Sequence, residues 1–307
     1  MNLHFNFTKA FRIDLSQRAL NSKEINEAIK NGAFAIVYDF EIEILDKEIA
    51  WIKVDSINNA LKKLFRYKLS TLDLTVFYCD IPTFDLLNIY KSSNKDIRFI
   101  SSKLENSIKI IENIKAVEIL FCKDKELLKD IYPKYKNFNT NNYKIGNLIK
   151  HSLFETSFSF EDSFFSKLKI SSLYINQFLD VYNYLNREID LKKLIQFEHL
   201  KPIFIDKLIN IIDFGKSNKF VLIQKNFELV QNELDFIETN YKYAKTICIS
   251  SFYNEKINKE QIVLENLNKL KNFLINKDFN AIYIVGYDKS KIEEILNLSS
   301  IKKINLF

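Results

Sequence analysis

"GAFAIVYDFEIEILDKEIAWIKVD", residues 32–55, reads as a strand, a tight turn and a second strand. Phe34, Ile36 and Tyr38, then Ile49 and Trp51, recur at every second position, the spacing of a half-buried hairpin. An active site that begins on such a hairpin would keep a carboxylate near the end of the second strand. Lys53 stands there instead.

Working outward, "SINNALKKLFRY" places Ile57, Leu61 and Leu64 on one helical face, with Asp55 or Ser56 as the cap. "STLDLTVFYCDIPTFDLLNIYKSS" fits a strand followed by a helix, or two helices broken before Pro82. Then come strand "DIRFIS", helix "LENSIKIIENI", strand "AVEILFC", and helix "KDKELLKDIYPKYKNF" interrupted at Pro133. "NYKIGNL" reads as a short strand, "FEDSFFSKL" as helical or irregular, and "ISSLYIN" as a strand. "QFLDVYNYLNREIDLKKLIQF" reads as one long amphipathic helix. "KPIFIDKLINIIDFGKS" suits a helix with Pro202 in its first turn and Gly215 near its end. Strand "KFVLIQ", helix "FELVQNELDFIETNYKY" and strand "TICISS" follow, and the tail adds helix "EQIVLENLNKLKNFLI", strand "AIYIVGY", helix "SKIEEILNL" and strand "KKINLF". Apolar strands separated by helices imply a parallel sheet covered on both faces. Up to "TICISS" the strand count is near eight, the number that closes a (βα)8 barrel. An open sheet split over two lobes is the rival layout.

The composition narrows the function classes. The chain has 307 residues, 47% of them hydrophobic, and a net charge of +6 from 45 basic and 39 acidic residues that are mixed along its length. No block of five like charges occurs, so a nucleic-acid stripe is not expected. Four glycines and three prolines argue against a turn-dense all-β fold. Neither GxGxxG nor GxxxxGK[ST] is present, so the common glycine loops that cradle phosphates are missing. Cys79, Cys122 and Cys248 each lie in an apolar run, which reads as buried thiols in a reducing compartment. His4, His151 and His199 share no metal-ligand spacing. No run approaches the roughly 20 apolar residues of a membrane span, and the first residues lack the pattern of a signal peptide. The expected location is cytoplasmic.

The order of these segments resembles the EAL domain, the (βα)8 phosphodiesterase fold that hydrolyses cyclic di-GMP. The resemblance spans residues 24–252. "NGAFAIVYDFEIEILDKEIAWIKV" resembles its opening hairpin, and "LDLTVFYCDIPTFDLLNIYKSSNKDIRFISSKLEN" the helix and strand that carry an Asn-x-Ser motif. "NIKAVEILFCKDKELL" resembles the Glu-x-x-Glu strand, "LKISSLYINQFL" the Lys-Ile-Asp segment, and "IIDFGKSNKFVLIQKNFELVQNELDFI" the last strand and its flanking helices. The fold so implied is a TIM-barrel-like EAL barrel over 24–252, with an N-terminal extension at 1–23 and an extra C-terminal αβαβ element at 253–307.

Carried over by this resemblance, the family's metal ligands fall on Lys53, on Ile100 (with Ser102 keeping the serine), on Leu120 and on Lys123. The paired aspartates fall on Gly146 and Asn147, the catalytic lysine on Tyr174, the aspartate beside it on Asn176, and the last glutamate on Gln224 or Asn226. Two Mg²⁺ ions need several oxygen ligands. A lysine charge about 4 Å from a cation costs about 4 kcal/mol at an effective dielectric near 20, so the resemblance implies no catalysis and no cofactor. It implies instead an inactive regulatory or scaffolding module that binds protein partners, conceivably in motility or surface-lifestyle control, with a homodimer possible and neither nucleic acid nor membrane insertion expected.

Rival readings remain open at this level. Lys53 and Lys123 could face the phosphates of an anionic dinucleotide without metal, although cyclic di-GMP binding is not the favoured reading. Asp39 and Glu41, with Asp85 and Glu188, could form a DnaQ-like exonuclease set, but the fourth carboxylate is missing. Asp55, Asp80, Asp124 and Asp288 follow apolar strands and read as helix caps. A two-lobed α/β enzyme is the last alternative.

Overall fold

A computed structural model of the chain describes residues 22–41, 44, 46–91, 96–138, 141–241, 244–275 and 277–297. These fall into two compact units, Met1–Thr140 and Asn141–Phe307. His4, the segment 1–21 and the expected strand "KKINLF" lie outside the described residues.

The first unit contains α1 (Ser22–Lys30), β1 (Ala35–Tyr38), β2 (Ala50–Lys53), α2 (Ile57–Ser70), β3 (Thr75–Tyr78), α3 (Ile81–Ile89), β4 (Ile97–Ile100), α4 (Leu104–Asn113), β5 (Ile119–Cys122), α5 (Lys125–Ile131) and β6 (Lys136–Asn137). The opening pair is not the expected hairpin. β1 and β2 run parallel, with Ala35 opposite Ala50 and Tyr38 opposite Lys53. A tight turn reverses the chain, so a parallel pair excludes one here.

β3 to β6 form a parallel sheet in the order β4-β5-β3-β6. Its two faces follow from the period of two along a strand. On β5, Leu120 and Cys122 enter one core together with Ile57, Leu61 and Phe65 of α2. Phe121 points to the other face, stacked on Phe77 at 5.3 Å and on Phe99 at 6.1 Å between ring centroids. The buried positions of α2, Ile57, Leu61, Phe65 and Leu69, recur every four residues, and each such side chain contributes about 1.5–3 kcal/mol by leaving water. Asp80 and Asp124 cap α3 and α5, accepting from the Thr83 and Leu127 N–H groups at 2.9 Å each. At α2 the cap is Ser56.

The second unit begins with an antiparallel meander, β7 (Gly146–Ser152), β8 (Glu155–Phe160) and β9 (Ser163–Leu168). There follow α6 (Ile175–Tyr184), β10 (Ile203–Phe204), β11 (Phe220–Gln224), α7 (Phe227–Asn240), β12 (Thr246–Ser250), β13 (Gln261–Val263), α8 (Leu270–Ile275), β14 (Ala281–Val285) and α9 (Lys289–Asn297), with 3-10 turns at Ser172–Tyr174 and Leu191–Gln196. The main sheet runs β10-β11-β14-β12-β13; β10 is antiparallel to β11 and the other pairs are parallel.

This mixed α/β architecture replaces the expected (βα)8 barrel: the described strands form four separate sheets. A barrel needs each strand to be followed by a helix, yet β7, β8 and β9 are joined by two-residue turns. "FVLIQ" and "TICIS" share a sheet but are not adjacent. β14, from the tail, lies between them, with Ile282 facing Val221 on one side and Ile247 on the other.

Two expected helices are broken by backbone conformation. After α6 the chain turns at Asn186 and Arg187, with φ of 54° and 68°, a left-handed region that does not continue a helix. In 202–216 the Asp206 carboxylate accepts from the Leu208 and Asn210 N–H groups at 2.8 Å each. Ile209 there has φ 62°, so that segment is a turn beside β10.

Candidate functional site

A buried polar cluster built from several elements of the second unit centres on Glu233. α7 carries Val230, Glu233, Leu234 and Ile237 on its buried face, so a carboxylate sits within the apolar stripe. The 3-10 turn capped by Ser171 presents Tyr174, β11 ends on Gln224, and β14 contributes Tyr283. The chain around Leu200, whose φ is 51°, brings up His199. Glu233 is 1% exposed, Gln224 3% and His199 7%.

Three donors converge on the carboxylate. The Tyr174 hydroxyl donates to Oε1 and the Tyr283 hydroxyl to Oε2. Gln224 Nε2 donates to Oε1 at 2.9 Å and lies 3.3 Å from His199 Nδ1. His199 Nδ1 is 3.9 Å from Glu233 Oε1, outside hydrogen-bond range but within reach of a strong charge interaction in a buried setting. Burial pushes the Glu233 carboxyl above its ordinary value, against the opposing pull of Tyr174, Tyr283, His199 and Gln224. The Tyr283 hydroxyl is itself raised, first by burial and then by Glu233.

His199 also forms part of the wall of a cavity of about 270 Å³. Phe154, Phe197, Phe214, Leu194 and Leu200 make most of that wall apolar. The imidazole packs 4.9 Å from the Phe197 ring and 5.6 Å from that of Tyr174. Two lysines in the wall carry their own partners. Lys169 pairs with Glu155 and lies 4.5 Å over the Phe214 ring. Lys201 bonds to Ile195 O at 2.6 Å and to Glu198 at 2.8 Å. The cavity thus offers an apolar body site with an imidazole on one side, which is the usual composition of a small-molecule pocket.

The positions singled out from the sequence are divided between the units. Ile100 and Leu120 are fully buried core residues of the first. Lys123 pairs with Asp85 at 3.0 Å and stands over the Phe84 ring, while Lys53, at the end of β2, pairs with Glu41. In the second unit Gly146 and Asn147 lie on the exposed strand β7. Asn176, at the start of α6, accepts from the Tyr143 N–H at 3.4 Å. Tyr174 and Gln224 do meet, on Glu233, in a hydrogen-bond network rather than at a metal. Among the described residues no three His, Cys, Asp or Glu side chains stand close enough to hold a metal ion. Of the carboxylates of the exonuclease reading, Asp39 accepts from the Ile57 N–H at 3.1 Å, and Asp85 and Glu41 are paired as above. The three cysteines are buried and free. Burial pushes the Cys79 thiol up, and those of Cys122 and Cys248 to about 11, so none is a thiolate nucleophile at neutral pH.

Sequence reasoning did not find Glu233 or Tyr283, and of His199 it noted only that it shares no metal-ligand spacing with the other histidines. The available signal was Glu233 itself, an acid on the apolar stripe of a helix.

Comparison with solved structures decides the fold. MurF from Acinetobacter baumannii superposes with a TM-score of 0.50 at 8% identity, covering 89% of this chain and 87% of that one. The chain is folded like MurF. The MurF ligase of Thermotoga maritima gives 0.49 at 13% identity, over 90% of each chain. The ligase MurC of the same organism gives 0.41 at 11%, over 85% and 84%. At these identities the likeness is one of fold, and no residue's role carries over. No family model matches the chain. No curated protein matches it either.

A MurF-like fold overturns the EAL resemblance and what hung on it: the inactive phosphodiesterase, the regulatory scaffold in motility, and the cyclic di-GMP receptor. The argument that the chain is no enzyme rested on lost EAL ligands, and it falls with that fold. Among the described residues no helix is long and apolar enough to cross a membrane.

Proposed function

We propose that the protein is an enzyme acting on a small molecule with a compact apolar body, bound in the cavity of the second unit, and that His199 donates a hydrogen bond from Nε2 at its polar end. The supporting observation is that His199 borders this cavity while Gln224 and the buried Glu233 back its Nδ1 side. Gln224 Nε2 can only donate, so Nδ1 accepts and the neutral ring keeps its proton on Nε2 as a hydrogen-bond donor. The aromatic wall keeps water from the body of the substrate, which strengthens that hydrogen bond.

The MurF-like fold favours bond-joining chemistry as the reaction class. In such a step an amine nucleophile attacks an activated acyl carbon and gives up its proton to solvent, while the His199 Nε2–H supports the negative charge that develops on the acyl oxygen. The activating group leaves with the electrons of the acyl bond. The chain has no GxxxxGK[ST] loop, so activation by a nucleotide would rest on other groups. Free, buried cysteines support a reducing, cytoplasmic setting.

The test is a thermal-shift screen of free amino acids and dipeptides with aromatic or branched side chains. Stabilisation that grows with ligand concentration, and that is lost in His199→Ala and in Ile195→Trp at the cavity mouth, supports the reading. A flat response to the whole panel, or stabilisation untouched by both substitutions, removes it.

A further inference from the structure

The polar face of α2 is more basic than a solvated helix face needs to be. Its inner stripe buries Ile57, Leu61, Phe65 and Leu69. Asn59, Lys62, Lys63 and Arg66 follow one another at spacings of three, one and three, so they share the opposite face. Lys53, at the end of β2, adds a fourth cation. These side chains line an open groove of about 570 Å³ together with Asp55, Ser56 and Asp130.

Like charges three and four residues apart on a helix repel, and Lys62 and Lys63 stand in that relation to Arg66. Asp130 relieves part of this: Lys62 Nζ is 2.7 Å from its carboxylate, and Arg66 Nη1 donates to its carbonyl at 3.4 Å. Lys53 is itself paired with Glu41, so the four cations face three carboxylates, Glu41, Asp55 and Asp130, and the groove keeps a net positive charge. The helix end takes no part. Ser56 Oγ accepts from the Asn59 N–H at 3.4 Å and Asp39 Oδ2 from the Ile57 N–H at 3.1 Å, so two of the free donors there are already used.

We propose that this groove is a binding site for a compact multivalent oxyanion of the phosphate-ester or pyrophosphate kind, held by Lys53, Lys62, Lys63 and Arg66. Arginine offers paired N–H groups that match two oxygens of such an anion, and the lysines add point charges around it. The groove suits a small anion better than a nucleic acid, because the basic side chains gather at one groove and the sequence has no extended like-charge run. The site is separate from the His199 cavity and stands whether or not that cavity binds a substrate.

The probe is inorganic pyrophosphate without metal, titrated calorimetrically into the full chain at low salt. Saturable binding is expected, weakened about tenfold or more in Lys62→Gln/Lys63→Gln/Arg66→Gln and weakened less in Lys63→Gln alone. Lys216→Gln/Lys245→Gln, in the second unit, serves as the charge control and should bind as the parent does. Circular dichroism and melting temperature show whether the triple variant is folded; if it is not, Lys63→Gln, at an exposed position, carries the comparison. No saturable heat, equal loss in the control, or binding of a single-stranded oligonucleotide with none of pyrophosphate would overturn the proposal.

Discussion

Gln224, the last residue of β11, donates through Nε2 to Glu233 Oε1 at 2.9 Å across the turn into α7. This contact ties the end of the main sheet to the helix that covers it, and it puts a polar group between a buried acid and His199. The chemistry proposed for the second unit depends on that acid staying where it is, and several measurements bear on it.

Glu233→Leu should destabilise the chain by about 3 kcal/mol or more, because it leaves the Tyr174 and Tyr283 hydroxyls and the Gln224 amide without their acceptor. Tyr174→Phe removes one donor and should cost only about 1 kcal/mol. Urea denaturation monitored by circular dichroism measures both, and equal costs would show that the network is not centred on Glu233.

Glu233→Gln tests the charge separately from the shape. The folded-state pKa is raised above the ordinary 4.5 by burial, so this group favours the folded state fully only below that value and loses that contribution as pH rises through the folded pKa. The amide does not titrate. The melting temperature of Glu233→Gln relative to the parent should therefore increase between about pH 5 and pH 8. A difference that falls over this range would mean that the carboxylate is stabilised, not penalised, by its surroundings.

Asp206 gives the opposite sign. Burial acts to raise its pKa, but the Asn210 and Leu208 donors hold the carboxyl below the ordinary 3.8. Its contribution is present above that value and disappears as pH falls through the folded pKa. Asp206→Ala should thus melt below the parent at neutral pH, and the gap should narrow in acid. A gap independent of pH would remove the carboxylate from the account of this turn.

Gly286, directly after β14, has φ 79°, and a Cβ there would lie 2.6 Å from Ser251 Oγ and 2.8 Å from Phe227 Cζ. Gly286→Ala should cost about 2–3 kcal/mol through strain and clash. Gly215, also at positive φ but with open space around it, should tolerate alanine at about 1 kcal/mol. Chemical denaturation of the pair separates close packing from backbone conformation.

The parts of the fold written in local pattern were legible. β3, β4, β5, β11, β12 and β14 are apolar runs, and α2, α4 and α7 have clear periodicity. The connectivity was not legible. The period of two in "IAWIKV" fits a strand in either direction, so a parallel pair read as a hairpin. The meander at 146–168 hid in phenylalanine-rich segments, and the helix expected across 202–216 failed on the Asp206 side-chain turn and on Ile209, a left-handed position where no Gly stands. Counting strands then suggested a barrel, because a count carries no information about order: nothing in "AIYIVGY" shows that it inserts between β11 and β12. The candidate site was hidden for a related reason. Its parts lie at 174, 199, 224, 233 and 283, and only the fold brings them together.

The most direct test of the central claim is the ring-proton NMR spectrum of the histidines during titration with a ligand that stabilises the chain in the thermal screen. The sequence holds three histidines, His4, His151 and His199, and His199→Ala assigns the signal of interest by its loss. The account predicts a saturable shift of the His199 signal, with His4 and His151 unmoved. A ligand that stabilises the protein while leaving the His199 signal in place would contradict it.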